Sequence, residues 1–256
     1  MDVKSYLHRI KYSDNYSPSL NALAQLQENH LLNIPFENID IYNKVKIHLD
    51  NSYNKIVMHK RGGFCYELNG LFYLLIIELG YHAKMVSARV FKNENEYGPE
   101  FDHLAIIAEI GQQDYLIDVG FGEFAFHPLP VKPGIELIDP RGIFKIVKHS
   151  DGYWLVTKKK DDGDFVPEYI FSEKERVLHE FNEMCEYHQT SPESHFTQKL
   201  ICSLPTKDGR ITVSEKVLKN TSGGKITENV INSERDLNDI LKEKFGIQNV
   251  SITYRN

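Results

Sequence analysis

The amino-acid sequence predicts an α+β fold, and three observations predict it. Helical patterning fills roughly the first 80 residues, short β-type runs follow from Ala83, and mixed helix and strand patterns return beyond about residue 172. The chain accordingly divides at 1–82, 83–172 and 173–256.

In the first part, Ser17-Pro18-Ser19-Leu20 offers a cap residue with proline at the first helical position, and Leu20, Leu23, Ala24 and Leu31 then fall near one face. A second helix is predicted from Cys65, through the dense apolar stretch Leu71-Phe72-Leu74-Leu75-Ile76, to a stop at Gly80. The β region contains Met85–Phe91, His103–Ile110 and Tyr115–Val119, then a hairpin in which Ile143–Val147 and Tyr153–Thr157 flank His149-Ser150-Asp151-Gly152. Antiparallel strands at this spacing point to a small barrel or sandwich. Lys158 to Asp164 reads as a solvated loop. In the last part, Val177, Leu178, Phe181 and Met184 keep helical spacing before Pro192, and strands are predicted at Lys199–Leu204 and Arg210–Leu218, with a turn at Ser222-Gly223-Gly224. A final helix is marked by Ser233 and Asp236 as a capping pair, by Leu237, Ile240, Leu241 and Phe245 on one face, and by Gly246 as its stop.

A hydrophobic content of 41% is ample for a real core, and a formal net charge of -6 argues against a nucleic-acid partner. The three cysteines, Cys65, Cys185 and Cys202, are odd in number, widely spaced and without a CxxC pair. Neither a disulfide framework nor a zinc site is expected, and a reducing cytoplasm fits best. His188 and His195, seven apart around Pro192, match no common zinc spacing, so no metal is expected. No apolar run is long enough for a signal peptide core or a membrane span. The pattern leaves the oligomeric state open.

The most informative segment is Arg61-Gly62-Gly63-Phe64-Cys65-Tyr66-Glu67-Leu68-Asn69-Gly70, where a glycine-bearing loop passes into a helix with a cysteine at the junction. Unpaired N–H groups and the positive end of the helix dipole favour a thiolate there. Such a nucleophile needs a base, and the base needs a third group to fix its tautomer. Among 11 histidines, His103 stands out because it opens a β-run with an acid in the next run. If Gly111-Gln112 forms a two-residue turn, His103 lies opposite Gly120, and Asp118 is its diagonal neighbour on the same face. Asp118 heads Asp118-Val119-Gly120-Phe121-Gly122, whose glycines permit a substrate to come close.

With Cys65, His103 and Asp118 in that order, the chain resembles the arylamine N-acetyltransferase family over nearly its whole length. Arg61 to Glu67 with Asn69 matches the family's Arg-Gly-Gly-(aromatic)-Cys-(aromatic)-Glu motif, and His103-Leu104 and Asp118 to Gly122 match its two following strands. Tyr6 to Ile10, Ile34-Pro35-Phe36-Glu37-Asn38, Ser194-His195-Phe196 and Gly209-Arg210-Ile211-Thr212 match further segments.

The resemblance implies a cysteine-protease-like core in three parts: a helical bundle with the nucleophile, an antiparallel β-barrel with the histidine and aspartate, and a C-terminal α/β lid. It implies catalysis by Cys65, His103 and Asp118, with acetyl-CoA as co-substrate, no tightly bound cofactor, and arylamines or hydrazines as acceptors in xenobiotic metabolism. It further implies an Arg9–Glu37 ion pair, structural support from Arg61 and Asn69, and acceptor contacts from Val90, Phe91, Asp102, Phe121 and the Asn93–Phe101 loop. CoA contacts are expected at Gly120, Gly122, Ser222, Gly223, Gly224 and Lys225, where a tight hairpin turn explains the last four equally well. The alternatives are a Cys-His-Asp thiol hydrolase or transglutaminase-like enzyme, and a non-catalytic CoA-binding protein of the same fold.

Overall fold

A computed structural model describes residues 1–13, 17–93, 96–214, 216–248, 250 and 252. Helix α1, Val3–Arg9, starts at Asp2, whose side chain accepts the Lys4 N–H, and buries Tyr6 and Leu7. Helix α2, Leu20–Asn33, is capped by Ser19, not Ser17: the Ser19 Oγ accepts the Ala22 N–H at 3.2 Å. Pro18 therefore precedes the helix, because a cap at Ser19 puts Ala22 at the position whose N–H a cap side chain reaches. The short strand β1, Phe36–Glu37, and helix α3, Ile39–Tyr42, follow, then a 3₁₀ turn at Leu49–Asn51 and a π-helical turn at Asn54–Met58. Helix α4, Cys65–Glu78, begins at Cys65 as expected and runs out before Gly80, which takes φ +88°.

The next region is antiparallel throughout. Its strands are β2 His82–Asn93, β3 Glu96–Tyr97, β4 His103–Ile110, β5 Gln113–Ile117, β6 Leu129–Pro130, β7 Glu136–Asp139, β8 Gly142–Lys148, β9 Trp154–Lys159 and β10 Phe165–Arg176. The sheet order is β6-β5-β4-β2-β10-β9-β8-β7, with β3 on β2. Beyond β6, the Gly134 N–H bonds the Ile146 carbonyl of β8 at 3.0 Å, so the sheet is nearly closed on itself. Val86, Ala88, Ala105, Ile107, Leu116, Phe144, Val156, Tyr169 and Phe171 fill its interior. Gly111 and Gln112 do form a two-residue turn, both at positive φ, and Ile110 pairs with Gln113 as that turn requires. The hairpin at His149–Gly152 is also present, with Asp151 and Gly152 at positive φ. β10, a strand that the sequence pattern did not mark, runs to Arg176, and only a 3₁₀ turn at Leu178–Phe181 separates it from helix α5, Asn182–Thr190.

Helix α6, His195–Gln198, leads into β11 Ile201–Thr206, β12 Gly209–Ser214, β13 Val217–Ser222 and β14 Lys225–Val230. The expected single strand Arg210–Leu218 is thus broken into β12 and the start of β13. β1 joins this sheet on β11, giving the order β1-β11-β12-β13-β14. Helix α7, Glu234–Phe245, is capped by Ser233, which accepts the Asp236 N–H, and ends at Gly246 with φ +70°. Its Leu237, Leu241 and Phe245 pack with Ile39, Leu200, Cys202, Val213 and Ile231 in a second core.

Contacts gather the chain into two units: Met1–Ser13, Asn29–Leu68 and Cys185–Asn256 in one, Asp14–Glu28 and Asn69–Met184 in the other. Among the described residues, no helix is long and apolar enough to cross a membrane.

Candidate functional site

In the first unit, the loop before Cys65 is moulded against β1. The Glu37 N–H bonds the Gly63 carbonyl at 2.9 Å, and the Gly63 N–H bonds the Pro35 carbonyl at 3.3 Å. A Cβ on Gly62 would stand 2.1 Å from that Pro35 oxygen, so the backbones approach this closely only with glycine. Phe64, Cys65 and Tyr66 are buried, and Phe64 packs edge-on against Tyr66 and Phe196. Glu67 reaches back from the first turn of α4 to accept the Phe64 N–H at 3.2 Å.

Five charged side chains meet beneath this loop. Arg61 bonds Glu37 at 2.8 Å and Asp40 at 2.9 Å. Lys55 bonds Asp40 and Glu67, each at 2.9 Å, with Glu37 at 3.8 Å. Burial would lower the Lys55 pKa, but the carboxylates of Glu37, Glu67 and Asp40 hold it above its ordinary value. Burial and the Glu37 charge raise Glu67 to about 7 against the opposing pull of Lys55. The expected Arg9–Glu37 pair is not what holds these residues. Arg9 donates instead to the carbonyls of Asn33, Ile56 and Arg61, while Glu37 is taken up by Arg61, Lys55 and the Ile39 N–H. A guanidinium fork is well matched to several carbonyls at once.

In the second unit, the β4–β5 register places His103 and Asp118 as the two-residue turn demands. His103 Nε2 lies 2.6 Å from Asp118 Oδ2. Five donors converge on this carboxylate: Oδ1 accepts from Asn69 Nδ2 and from the Gly120 and Phe121 N–H groups, each at 2.9 Å, and Oδ2 accepts from the Tyr169 hydroxyl at 3.1 Å as well as from His103. An ionised carboxylate, an acceptor only, satisfies such a shell. Burial and the neighbouring Asp118 charge push the Tyr169 phenol well above its ordinary pKa, so it stays a donor. Asn69 also donates to the Leu104 carbonyl at 2.7 Å and accepts the Val119 N–H at 2.9 Å, which ties α4 to β4 and to the chain after β5. The His103 ring is buried between Phe121 and Tyr169, 5.3 Å and 5.5 Å between centroids.

The remaining expected positions are spread over both units. Val90 donates its N–H to Asp102 Oδ2 at 3.4 Å, and Phe91 packs edge-on against Tyr97. Residues 94 and 95 of the Asn93–Phe101 loop lie outside the described residues. Gly120 gives its N–H to Asp118, so that amide is already engaged as a clamp on the carboxylate. Gly223 and Gly224 form the β13–β14 turn at φ +53° and +75°, Ser222 bonds Asp208 at 2.5 Å, and Lys225 begins the exposed strand β14. A hairpin turn accounts for these glycines.

Sequence reasoning missed Tyr169, Lys55 and Asp40 and gave Glu67 no role. Tyr169 sits in a strand that the alternation did not reveal, and Lys55 looks like any surface lysine until the π-helical turn folds it inward. Cys185 and Cys202 are buried thiols, with Cys185 pushed up to about 12 by burial and Cys202 raised well above its ordinary value by the same cause. Among the described residues no group of three or more His, Cys, Asp or Glu could hold a metal ion.

A family model described as N-acetyltransferase matches residues 19–252. An arylamine N-acetyltransferase of Gallus gallus, a pineal gland isozyme, is 32% identical over 96% of this chain and 94% of its own length. The arylamine N-acetyltransferase of M. tuberculosis is similar in structure, with a TM-score of 0.88 and 27% identity over 96% of this chain and 94% of that one. Another from Bacillus cereus, which has a Cys-His-Glu catalytic triad, gives a TM-score of 0.88 and 25% identity over 97% of this chain and 99% of that one.

Proposed function

The chain belongs to the arylamine N-acetyltransferase family, and from that premise we propose that it moves an acetyl group from acetyl-CoA, through a Cys65 thioester, to the nitrogen of an arylamine or arylhydrazine. The observation that carries this reading is the shell around Asp118. A carboxylate held by four protein donors besides histidine is built to fix one ring orientation and to stabilise the ring when it is charged. With Nε2 engaged by Asp118, Nδ1 is the ring nitrogen that exchanges protons with reactants. Cys65, at the start of α4, is the nucleophile this reading assigns to that histidine.

The Cys65 thiolate attacks the carbonyl carbon of the acetyl thioester. The bond to the CoA sulfur breaks, and CoA leaves with the His103 proton. Exchange of one thioester for another is close to isoenergetic, so acetyl-Cys65 accumulates. The amine nitrogen then attacks the acetyl carbon, Nδ1 of His103 takes the amine proton, and the Cys65 thiolate departs. Weakly basic aromatic amines suit this step because they are unprotonated at neutral pH. Phe121, which packs on His103, is a candidate acceptor contact, and Val90, Phe91 and Asp102 belong to the same unit. Gly122 and the Ser222–Lys225 turn are candidate CoA contacts. Three cysteines outside any disulfide support a reducing, cytoplasmic setting.

Release of CoA measured with arylamines, hydrazines and water across several acyl-CoA donors tests the reading. It predicts release that depends on the aromatic amine and is abolished by Cys65→Ala. Equal release with water alone would instead indicate a hydrolase.

A further inference from the structure

The charged cluster beneath the Cys65 loop contains two cations, Lys55 and Arg61, against three carboxylates, Glu37, Asp40 and Glu67. Arg61 is shared between Glu37 and Asp40, which leaves Lys55 as the cation bonded to Glu67. Glu67 is the third residue of α4, and its Oε2 accepts both the Lys55 ammonium at 2.9 Å and the N–H of Phe64, the residue just before the helix. This is the returning half of a capping box. The same oxygen lies 2.9 Å from where a Cβ on Gly63 would be, so the loop backbone is folded directly onto the carboxylate.

We propose that Lys55 is a positioning residue for Cys65: its ammonium bonds the Glu67 oxygen that also holds the Phe64 N–H, and so fixes the turn on which Cys65 enters the helix. The proposal rests on Cys65 being the nucleophile. A charged acceptor bonds an N–H about twice as strongly as a neutral one, so protonation of Glu67 loosens the turn. Glu67 is poised for that change, since burial raises it to about 7 even with Lys55 in place. The groups that face the Lys55–Glu67 pair are Glu37 from β1, Asp40 from α3 and Arg61 from the loop, the last two on the Lys55 side, and Cys185 from α5 on the Glu67 side. Cys185, pushed up to about 12, stays a neutral thiol. Asp40, Lys55, Arg61 and Glu67 line a cavity of about 650 Å³ open at the surface, which gives protons a route to the pair.

The test is the rate of Cys65 alkylation by iodoacetamide as a function of pH, read on the Cys65 peptide by mass spectrometry, for the intact protein and three variants. Lys55→Met is expected to react about tenfold more slowly near neutrality, with its inflection moved to higher pH, and Lys55→Arg to stay within about twofold of the parent. Glu67→Gln, which cannot ionise, is expected to lose the inflection near pH 7. A folded Lys55→Met with the parent's rate and pH profile would overturn the proposal, as would an inflection that persists in Glu67→Gln. Should Lys55→Met fail to fold, Lys55→Arg and Glu67→Gln decide the matter. Alkylation needs no acetyl-CoA, so failure here is separate from failure of the transferase reading.

Discussion

Asn69→Ala removes one fully buried side chain and three hydrogen bonds at once. The Val119 N–H loses its acceptor, at about 1–3 kcal/mol for a buried donor left unmet. The Leu104 carbonyl loses a donor, at about 1 kcal/mol. Asp118 loses one of five donors, and a hydrogen bond to a charged group is worth about 1.5–3 kcal/mol. The sum, roughly 3.5–7 kcal/mol, is a large fraction of the 5–15 kcal/mol typical of a folded domain. Urea unfolding followed by fluorescence measures it directly. The single tryptophan, Trp154, packs on the core of the unit that contains Asn69, His103 and Asp118. The midpoint should fall with little change in slope. A loss under about 1 kcal/mol would refute the reasoning, for it would mean that water or a shifted side chain replaces all three bonds. Asn69→Asp keeps the volume but faces Asp118 with a like charge, so its stability should recover on acidification.

Asp118→Asn should lower acetyl transfer by about 10³–10⁴-fold, because an amide presents donors where the histidine needs an acceptor, while Asp118→Glu should lose less; steady-state CoA release ranks the two. Gly62→Ala sets a Cβ 2.1 Å from the Pro35 oxygen, so the loop must part from β1, and thermal unfolding should show a loss of at least about 2 kcal/mol. Glu67 and Glu168, both raised to about 7, chiefly by burial, bind protons more tightly in the folded chain than when unfolded. Their contribution to stability is therefore fully present below about pH 4.5 and falls as pH rises to about 7, by about 1–3 kcal/mol each. The difference between the parent and Glu67→Gln in stability across that window measures the Glu67 share, and a parallel pair of profiles would contradict it.

The parts of this molecule that were legible in the sequence are those governed by a local rule. The Gly111-Gln112 turn fixed the β4–β5 register, and with it the His103–Asp118 diagonal, because a strand's side chains repeat every two residues. The ends of α4 and α7 were legible for the same kind of reason, a change of backbone at Gly80 and Gly246. What escaped depends on contacts distant in the chain. β1 has two residues, too few to show any period, and exists because Phe36 and Glu37 pair with Ser203 and Cys202. Tyr169 reaches Asp118 across 51 residues, and Lys55 turns inward only because a π-helical turn aims it at three carboxylates. Arg9 shows the converse error: the family resemblance implied Glu37 as its partner, and the fold supplied carbonyls instead.

The central claim is that Cys65 carries the acetyl group. Incubation with acetyl-CoA in the absence of an amine, followed by mass analysis of the peptides, should show one added acetyl group, on Cys65, that an arylamine then removes with formation of the N-acetyl product. No acetyl on Cys65, or an acetyl that the amine cannot collect, would contradict the account.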